Sequence, residues 1–208
     1  MTAAASQFNG IPACLARFAS PERWVAWSGD PKRKAPLSPT GRAASSSDQA
    51  TSGTFDQVRT VGGGVGIMLS PGDTPIDLVA FDLGDFRDPE TGMIDQWALD
   101  LINRAGSYTE VTPSGGGLHI LGTGAVQEFG GSLDRPNGGH AEVYARTGRY
   151  ITVSGQHLEG RPTELADVSA LFLEHIQEKR RPAGPDPYHT FAQNAHRGNG
   201  ADNAGTWL

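Results

Sequence analysis

Short apolar runs, separated by turn-forming residues, dominate the hydrophobic pattern of this chain of 208 residues. Runs that are rich in β-branched and aromatic residues predict strands. Such runs lie at residues 23–27, 65–69, 76–83, 108–111, 118–121, 142–145 and 150–154. The run at 76–83 is nearly continuous, which is typical of a strand inside a sheet. The last two runs flank Thr147 and Gly148, so we predict that they form a hairpin.

Apolar residues at helical spacing mark a second group of segments. Within residues 94–104, the positions of Ile94, Trp97 and Leu101 predict an amphipathic helix. Further helices are predicted at residues 11–19, 55–60 and 165–177. Because strands and helices do not alternate as βαβ units, the predicted fold class is α+β, with a mostly antiparallel sheet and flanking helices.

Two segments lack any periodicity. Residues 124–140 are rich in glycine and predict an irregular connection. Residues 180–208 are rich in Pro, Gly, Asn and Ala, so they predict a disordered tail or a linker to a further C-terminal region. The predicted folded domain therefore covers residues 1–179.

Composition and charge narrow the class of protein. The single cysteine, Cys14, excludes an intramolecular disulfide and a multi-cysteine zinc site. We find neither a signal peptide in residues 1–20 nor a membrane-spanning run, so we expect a cytoplasmic location and no membrane partner. The net charge is -6, but residues 73–100 alone carry -7. The acidity is therefore local, which suits a divalent cation and leaves basic clusters elsewhere for phosphates.

Two carboxylates occupy strand positions where a charge needs a partner. Asp82 lies at the end of the long apolar run, and Glu142 lies between the apolar residues Ala141 and Val143 on a short predicted strand. A buried carboxylate must be hydrogen-bonded, paired or metal-bound. Asp82 is thus a candidate metal ligand or the cap of a turn. Glu142 is a candidate metal ligand or the partner of an arginine such as Arg146 or Arg149.

A glycine-rich turn at residues 113–119 carries the next candidate chemistry. Its three consecutive glycines allow backbone N–H groups to converge on an anion without obstruction by a Cβ atom. Ser114 opens the turn, and His119 lies two residues into the following strand, where it can face the same anion. The alternative is a flexible hairpin followed by a core histidine. Arg149 and Lys34 are candidate phosphate ligands, or simply solvated loop bases.

The order of these motifs resembles the N-terminal primase-polymerase (prim-pol) domain of the archaeo-eukaryotic primase superfamily, as found in phage and plasmid replication proteins. The resemblance covers roughly residues 15–170. It is carried by the segments 23–27, 34–39, 64–69, 88–92, 107–110, 113–119, 142–144 and 148–155, together with the strand that ends at Asp82. The ordered set is specific, whereas no single motif would be.

The resemblance implies an RNA-recognition-like sheet, an N-terminal α/β unit and two-metal nucleotidyl transfer on single-stranded DNA. Asp82 and Glu142 would be the catalytic acids that hold Mg²⁺ or Mn²⁺. The triphosphate of a (d)NTP would be bound by a second group of residues, namely Ser114, Gly115, Gly117, His119, Arg149 and Lys34. We therefore expect Asp82 and Glu142 to face each other across adjacent strands, with His119 in the same pocket. A helicase region or another replication protein would join through residues 180–208.

The chain departs from the family pattern at one position. Gly84 stands where the second acid of the family's D-x-D motif is expected, and glycine offers no side chain to a metal. Asp85 can fill this role only if a bulge turns it toward Asp82. Two hypotheses therefore stay open: a DNA primase-polymerase with weakened chemistry, or a degenerate prim-pol fold that binds nucleotide or DNA without catalysis.

Overall fold

The computed structural model describes residues 10–70, 77–133 and 140–180. Within them the chain forms a series of strands and three α-helices. The strands are β1 (Trp24–Trp27), β2 (Pro36–Leu37), β3 (Gly64–Met68), β4 (Asp77–Gly84), β5 (Thr109–Val111), β6 (Leu118–Gly124), β7 (Phe129–Ser132), β8 (His140–Ala145) and β9 (Tyr150–Val153). The helices are α1 (Phe55–Val58), α2 (Gln96–Ala105) and α3 (Ser169–Arg180), with short 3₁₀ turns at Ala13–Phe18 and Gln49–Thr51.

The strands form two sheets in which every ladder is antiparallel. Sheet I has the order β2-β1-β3-β9, and sheet II has the order β5-β6-β4-β8-β7. The predicted α+β class with mostly antiparallel strands is thereby confirmed. The central position of β4 agrees with its nearly continuous apolar sequence, because both of its faces are covered.

Strand β4 divides the interior into two cores. Val79, Phe81 and Leu83 face α2 and α3, while Leu78 and Ala80 face sheet I. Side chains alternate along a strand, so Asp82 and Gly84 continue the row that faces sheet I. A polar side chain at position 82 therefore lies between the two sheets.

A buried ion pair links the sheets at the opposite end of β4. Asp77 is 1% exposed, and its Oδ1 lies 2.8 Å from Nη1 of Arg23, which immediately precedes β1. Arg146 approaches the other carboxylate oxygen at 3.6 Å. Asp77, one of the acidic residues in the segment 73–100, therefore has a structural role. Asp88 and Asp100 in the same region are exposed.

The structure corrects two sequence predictions. Residues 142–145 and 150–154 form strands, but not a hairpin: β8 pairs with β4 in sheet II, whereas β9 pairs with β3 in sheet I. Their apolar residues divide between different cores, since Val143 packs toward the helices and Ile151 toward sheet I. The segment 124–140, predicted as irregular, contains the edge strand β7.

The structure also bears on the predicted termini and membrane contacts. The predicted C-terminal helix is present but begins at Ser169, and residues 181–208 lie outside the described residues. In the described part of the chain, no helix has both the length and the apolarity required to cross a bilayer.

Candidate functional site

Four polar side chains form one row across the middle of sheet II. In the ladders, Glu110 of β5 lies opposite His119 of β6, His119 opposite Asp82 of β4, and Asp82 opposite Glu142 of β8. Directly opposed residues place their Cβ atoms about 5 Å apart on the same face. The structure thus brings Asp82, Glu142 and His119 together, as expected if they serve one site.

The row opens into a pocket between the two sheets. The pocket has a volume of about 260 Å³, and Asp82, His119 and Glu142 form its acidic wall. The side chains of Asp82 and Glu142 remain 30% and 20% exposed, whereas His119 is 1% exposed. Like charges opposed across a ladder are destabilising, so the close approach of Asp82 and Glu142 favours binding of a cation.

The opposite side of the pocket is basic. Arg33, Lys34 and Arg149 line it, together with Tyr150 and Thr152 of β9. The carboxylates and the bases therefore share one opening. The Thr152 side chain is buried, and its hydroxyl makes no hydrogen bond with the described residues. An orphaned buried hydroxyl in a pocket wall suits a polar ligand.

Local contacts fix the loop that carries Arg33 and Lys34. The backbone N–H groups of both residues donate to the Asp30 carbonyl, at 3.1 and 2.8 Å. Lys34 has a φ of 41°, in the left-handed region. The Tyr150 hydroxyl donates to the Lys34 carbonyl. Burial raises the pKa of Tyr150 to about 12, so the hydroxyl keeps this proton and ties the loop to sheet I.

Glu110 holds His119 from behind. Its side chain is fully buried and lies 3.3 Å from Nδ1 of His119. It also accepts hydrogen bonds from the Tyr108 hydroxyl and from the backbone N–H groups of Ser154 and Gly155. Both carboxylate oxygens thus already accept hydrogen bonds, and we assign Nδ1 of His119 as a further donor to Glu110. His119 therefore directs Nε2 toward Asp82, whose Oδ1 lies 3.7 Å away.

Glu142 has partners on its own strand. His140 Nε2 lies 2.8 Å from Oε2 of Glu142. The Tyr144 hydroxyl also hydrogen-bonds to Glu142, and burial together with this bond raises the pKa of Tyr144. Of the two arginines considered as partners, Arg146 pairs with Asp77 instead, while Arg149 lines the same pocket as Glu142.

The glycine turn lies beside the pocket rather than in its lining. A Cβ atom on Gly117 would come within 2.8 Å of the Leu83 carbonyl, so only glycine fits against β4 there. The N–H groups of Gly115 and Gly117 both donate to Thr112, and the Ser114 hydroxyl also hydrogen-bonds to the Thr112 hydroxyl. The structure therefore engages these groups within the turn, away from Asp82.

Asp85 also lies outside the pocket that contains Asp82. Its φ is 62°, and its side chain lines a separate surface depression with Phe86, Arg87 and Met93. The left-handed backbone at this residue ends β4 and directs the chain away from sheet II. Asp85 therefore does not replace the family's second acid in this pocket, and the expected position of that acid is occupied by Gly84.

The residues that sequence reasoning did not select are Glu110, Arg33, His140, Tyr144, Tyr150 and Thr152. Glu110 carried a signal, since it is the one charged residue of the predicted strand 108–111, which precedes the glycine turn. The other residues reach the site through the pairing of the sheets, which a local pattern does not reveal.

The donor atoms fit a divalent cation that is shared with a ligand. In residues 10–70, 77–133 and 140–180, no three His, Cys, Asp or Glu side chains already stand together as a metal-binding group. Asp82 and Glu142 nevertheless supply two opposed carboxylates. Mg²⁺ is commonly held by one or two carboxylates plus substrate phosphates, so the pair suits an ion that arrives with a phosphate ligand.

A comparison with curated proteins finds a related protein. The chain is 35% identical over 185 residues to a protein named DNA primase-polymerase from Nitratiruptor phage NrS-1. This homologue supports a phage-type prim-pol domain for the chain. The match covers 83% of this chain but only 25% of that relative, so the chain spans about a quarter of the relative's length. No protein-family model matches the chain.

Proposed function

We propose that the chain is the catalytic domain of a phage- or plasmid-type DNA primase-polymerase with the prim-pol fold. It would transfer nucleotides from (d)NTPs to a primer on a single-stranded DNA template, with Mg²⁺ or Mn²⁺. The observation that carries this proposal is the opposition, within one pocket, of Asp82 and Glu142 to Arg33, Lys34 and Arg149. The primase-polymerase relative supports the reaction class.

The two sides of the pocket suit the two ends of a metal-bound triphosphate. Asp82 and Glu142 would hold the metal, which when bound would neutralise phosphate charge and activate the attacking 3′-hydroxyl. Arg149 and Lys34 would bind the phosphate oxygens, a task for which the planar guanidinium is well shaped. The sequence predictions for Ser114, Gly115 and Gly117 stay predictions, in which the turn would contact the nucleotide from the edge of the pocket.

His119 would orient the nucleotide. Glu110 fixes Nδ1 as the donor nitrogen, which leaves Nε2 on the pocket side. A bond from Nε2 to a phosphate would be charge-assisted and about twice as strong as a neutral one. The buried Glu110–His119 contact would thus serve mainly to orient the imidazole.

The second candidate function is a nucleotide- or DNA-binding module without catalysis. Gly84 favours it, because one of the expected carboxylates is missing. A primer-extension assay distinguishes the candidates. A labelled primer on a single-stranded template is incubated with dNTPs or NTPs and with Mn²⁺ or Mg²⁺. Metal-dependent extension supports the enzyme, whereas nucleotide binding without extension supports the module. A helicase region or other replication partner beyond residue 180 also remains a proposal.

We expect His119→Asn to weaken nucleotide binding about 10-fold while leaving single-stranded DNA affinity unchanged. Asparagine can keep a donor toward Glu110 but loses the pocket-facing nitrogen, whose charge-assisted bond is worth roughly 1.5–3 kcal/mol. DNA affinity would rest on phosphate contacts spread over the surface. Titration with a fluorescent nucleotide and with labelled DNA measures both quantities.

The matched variant for this prediction is His119→Gln, which keeps a nitrogen near the position of Nε2. It should bind nucleotide more tightly than the asparagine variant. Equal losses of nucleotide and DNA affinity in both variants, or no loss in either, would show that His119 is a packing residue.

A further inference from the structure

Position 84 and His140 form a second cross-strand pair beside the acidic pair. In the β4–β8 ladder, Gly84 lies opposite His140, and Asp82 lies opposite Glu142. Residues two apart on a strand share a face. His140 therefore stands on the same face as Glu142, next to the place where the family's second acid is expected.

The His140 side chain lies over the space that glycine leaves open. A Cβ atom built on Gly84 would be 3.5 Å from the Cβ of His140 and 3.7 Å from its Cδ2. These are ordinary van der Waals distances. The histidine is therefore the nearest side chain to position 84, and it leaves room there for a Cβ atom.

The His140–Glu142 pair already has the spacing of two ligands of one ion. Nε2 of His140 lies 2.8 Å from Oε2 of Glu142. Adjacent donors of an octahedral Mg²⁺ or Mn²⁺ ion, each about 2.1 Å from the metal, are about 3 Å apart. An ion can therefore replace the hydrogen bond between them without separating the two side chains. The His140 side chain is 62% exposed, so its ring is free to turn toward an ion.

We propose that His140 is the metal ligand that compensates for Gly84, with Glu142 and Asp82 as its carboxylate partners. This inference rests on the proposed function, because the ion concerned is that of the nucleotidyl-transfer site. An imidazole in place of a carboxylate changes the preference of the site. Both Mg²⁺ and Mn²⁺ prefer oxygen ligands, but Mn²⁺, as a transition metal, accepts an imidazole more readily than Mg²⁺ does. The site therefore favours Mn²⁺ over Mg²⁺.

Pulsed electron paramagnetic resonance of bound Mn²⁺ tests this ligand directly. Nitrogen modulation of the electron spin echo is expected in the wild-type protein, retained in His119→Asn and lost in His140→Ala. Calorimetry with Mn²⁺ alone should show an affinity about 10-fold lower for His140→Ala. The matched control is His157→Ala, since His157 stacks on Tyr108 and bonds to the Pro162 carbonyl, whereas His140 bonds to Glu142.

A second variant tests the metal preference. His140→Asp replaces the imidazole with a carboxylate, so we expect its Mg²⁺ affinity to rise relative to its Mn²⁺ affinity. The inference is overturned if wild-type Mn²⁺ shows no nitrogen modulation, or if His140→Ala keeps the wild-type modulation and affinity. These measurements need no catalysis. A protein that binds Mn²⁺ through His140 but extends no primer would refute the proposed function while supporting this ligand.

Discussion

Replacing Asp82 with asparagine is expected to lower the rate of primer extension by about 10³-fold or more. Asp82 lies at the centre of the polar row, opposite both His119 and Glu142. Loss of its charge would remove a metal ligand from the transition state, where such groups contribute several kcal/mol. Single-turnover extension with saturating Mn²⁺ measures the rate, so a reduced metal affinity alone cannot produce the loss.

The same substitution should not destabilise the domain. Asp82 and Glu142 are like charges in a directly opposed pair, so removing one charge should leave the melting temperature unchanged or raise it. Asp100→Asn is the matched control, because Asp100 is exposed on α2, away from the pocket. An Asp82→Asn protein that extends primers at the wild-type rate would place the chemistry elsewhere.

The second large effect is a gain: Gly84→Asp should raise the extension rate about 10-fold or more and strengthen Mn²⁺ binding. The position faces the same side of β4 as Asp82, and a Cβ atom there meets its nearest neighbour, the His140 carbonyl, at 3.4 Å. The backbone φ at Gly84 is not in the left-handed region, so aspartate can adopt it. The new carboxylate would add an oxygen ligand, which Mg²⁺ and Mn²⁺ both accept, beside the imidazole of His140.

Gly84→Ala separates the effect of the carboxylate from that of the added Cβ atom. It should leave Mn²⁺ affinity and extension rate close to wild type. The rate is measured by extension under single-turnover conditions and the affinity by calorimetry. If the aspartate variant binds no more Mn²⁺ and extends no faster than the alanine variant, position 84 does not match the family's second acid.

The sequence predicts the individual elements well where local chemistry determines them. The apolar run that ends at Asp82 forms the central strand β4. The segment in which Trp97 and Leu101 have helical spacing forms α2. Asp95 begins that helix by accepting the N–H of Trp97. These features depend on neighbours within a few residues, so a pattern along the chain is sufficient to find them.

The partners of the strands are harder to predict. Strands β8 and β9 are separated by only four residues but join different sheets. Arg146 has a φ of 52° between them, and its side chain turns to Asp77. Which sheet each of these two strands joins depends on which hydrophobic core its apolar residues enter. A hairpin pattern contains no information about that choice.

The same distinction applies to the candidate site. Asp82, Glu142 and His119 could be selected because the family motifs mark them. Glu110 carried only a local signal, and its role depends on contacts with Ser154 and Gly155 across the two sheets. Arg33 could not be selected, because its place in the pocket depends on the path of a loop. The glycine turn has a conspicuous motif, and in the structure the N–H groups of Gly115 and Gly117 bond to Thr112. Its contact with a nucleotide stays a prediction.

The central claim is that a metal-bound nucleotide lies in the pocket between two groups of side chains. Asp82 and Glu142 form one wall, and the basic residues Arg33, Lys34 and Arg149 form the other. A crystal structure with Mn²⁺ and a non-hydrolysable dNTP analogue tests it most directly, because Mn²⁺ is located by its anomalous scattering. The proposal predicts an anomalous peak within ligand distance of both carboxylates, with triphosphate oxygens bonded to Arg149 or Lys34. A Mn²⁺–nucleotide complex bound elsewhere, with this pocket empty, would contradict it.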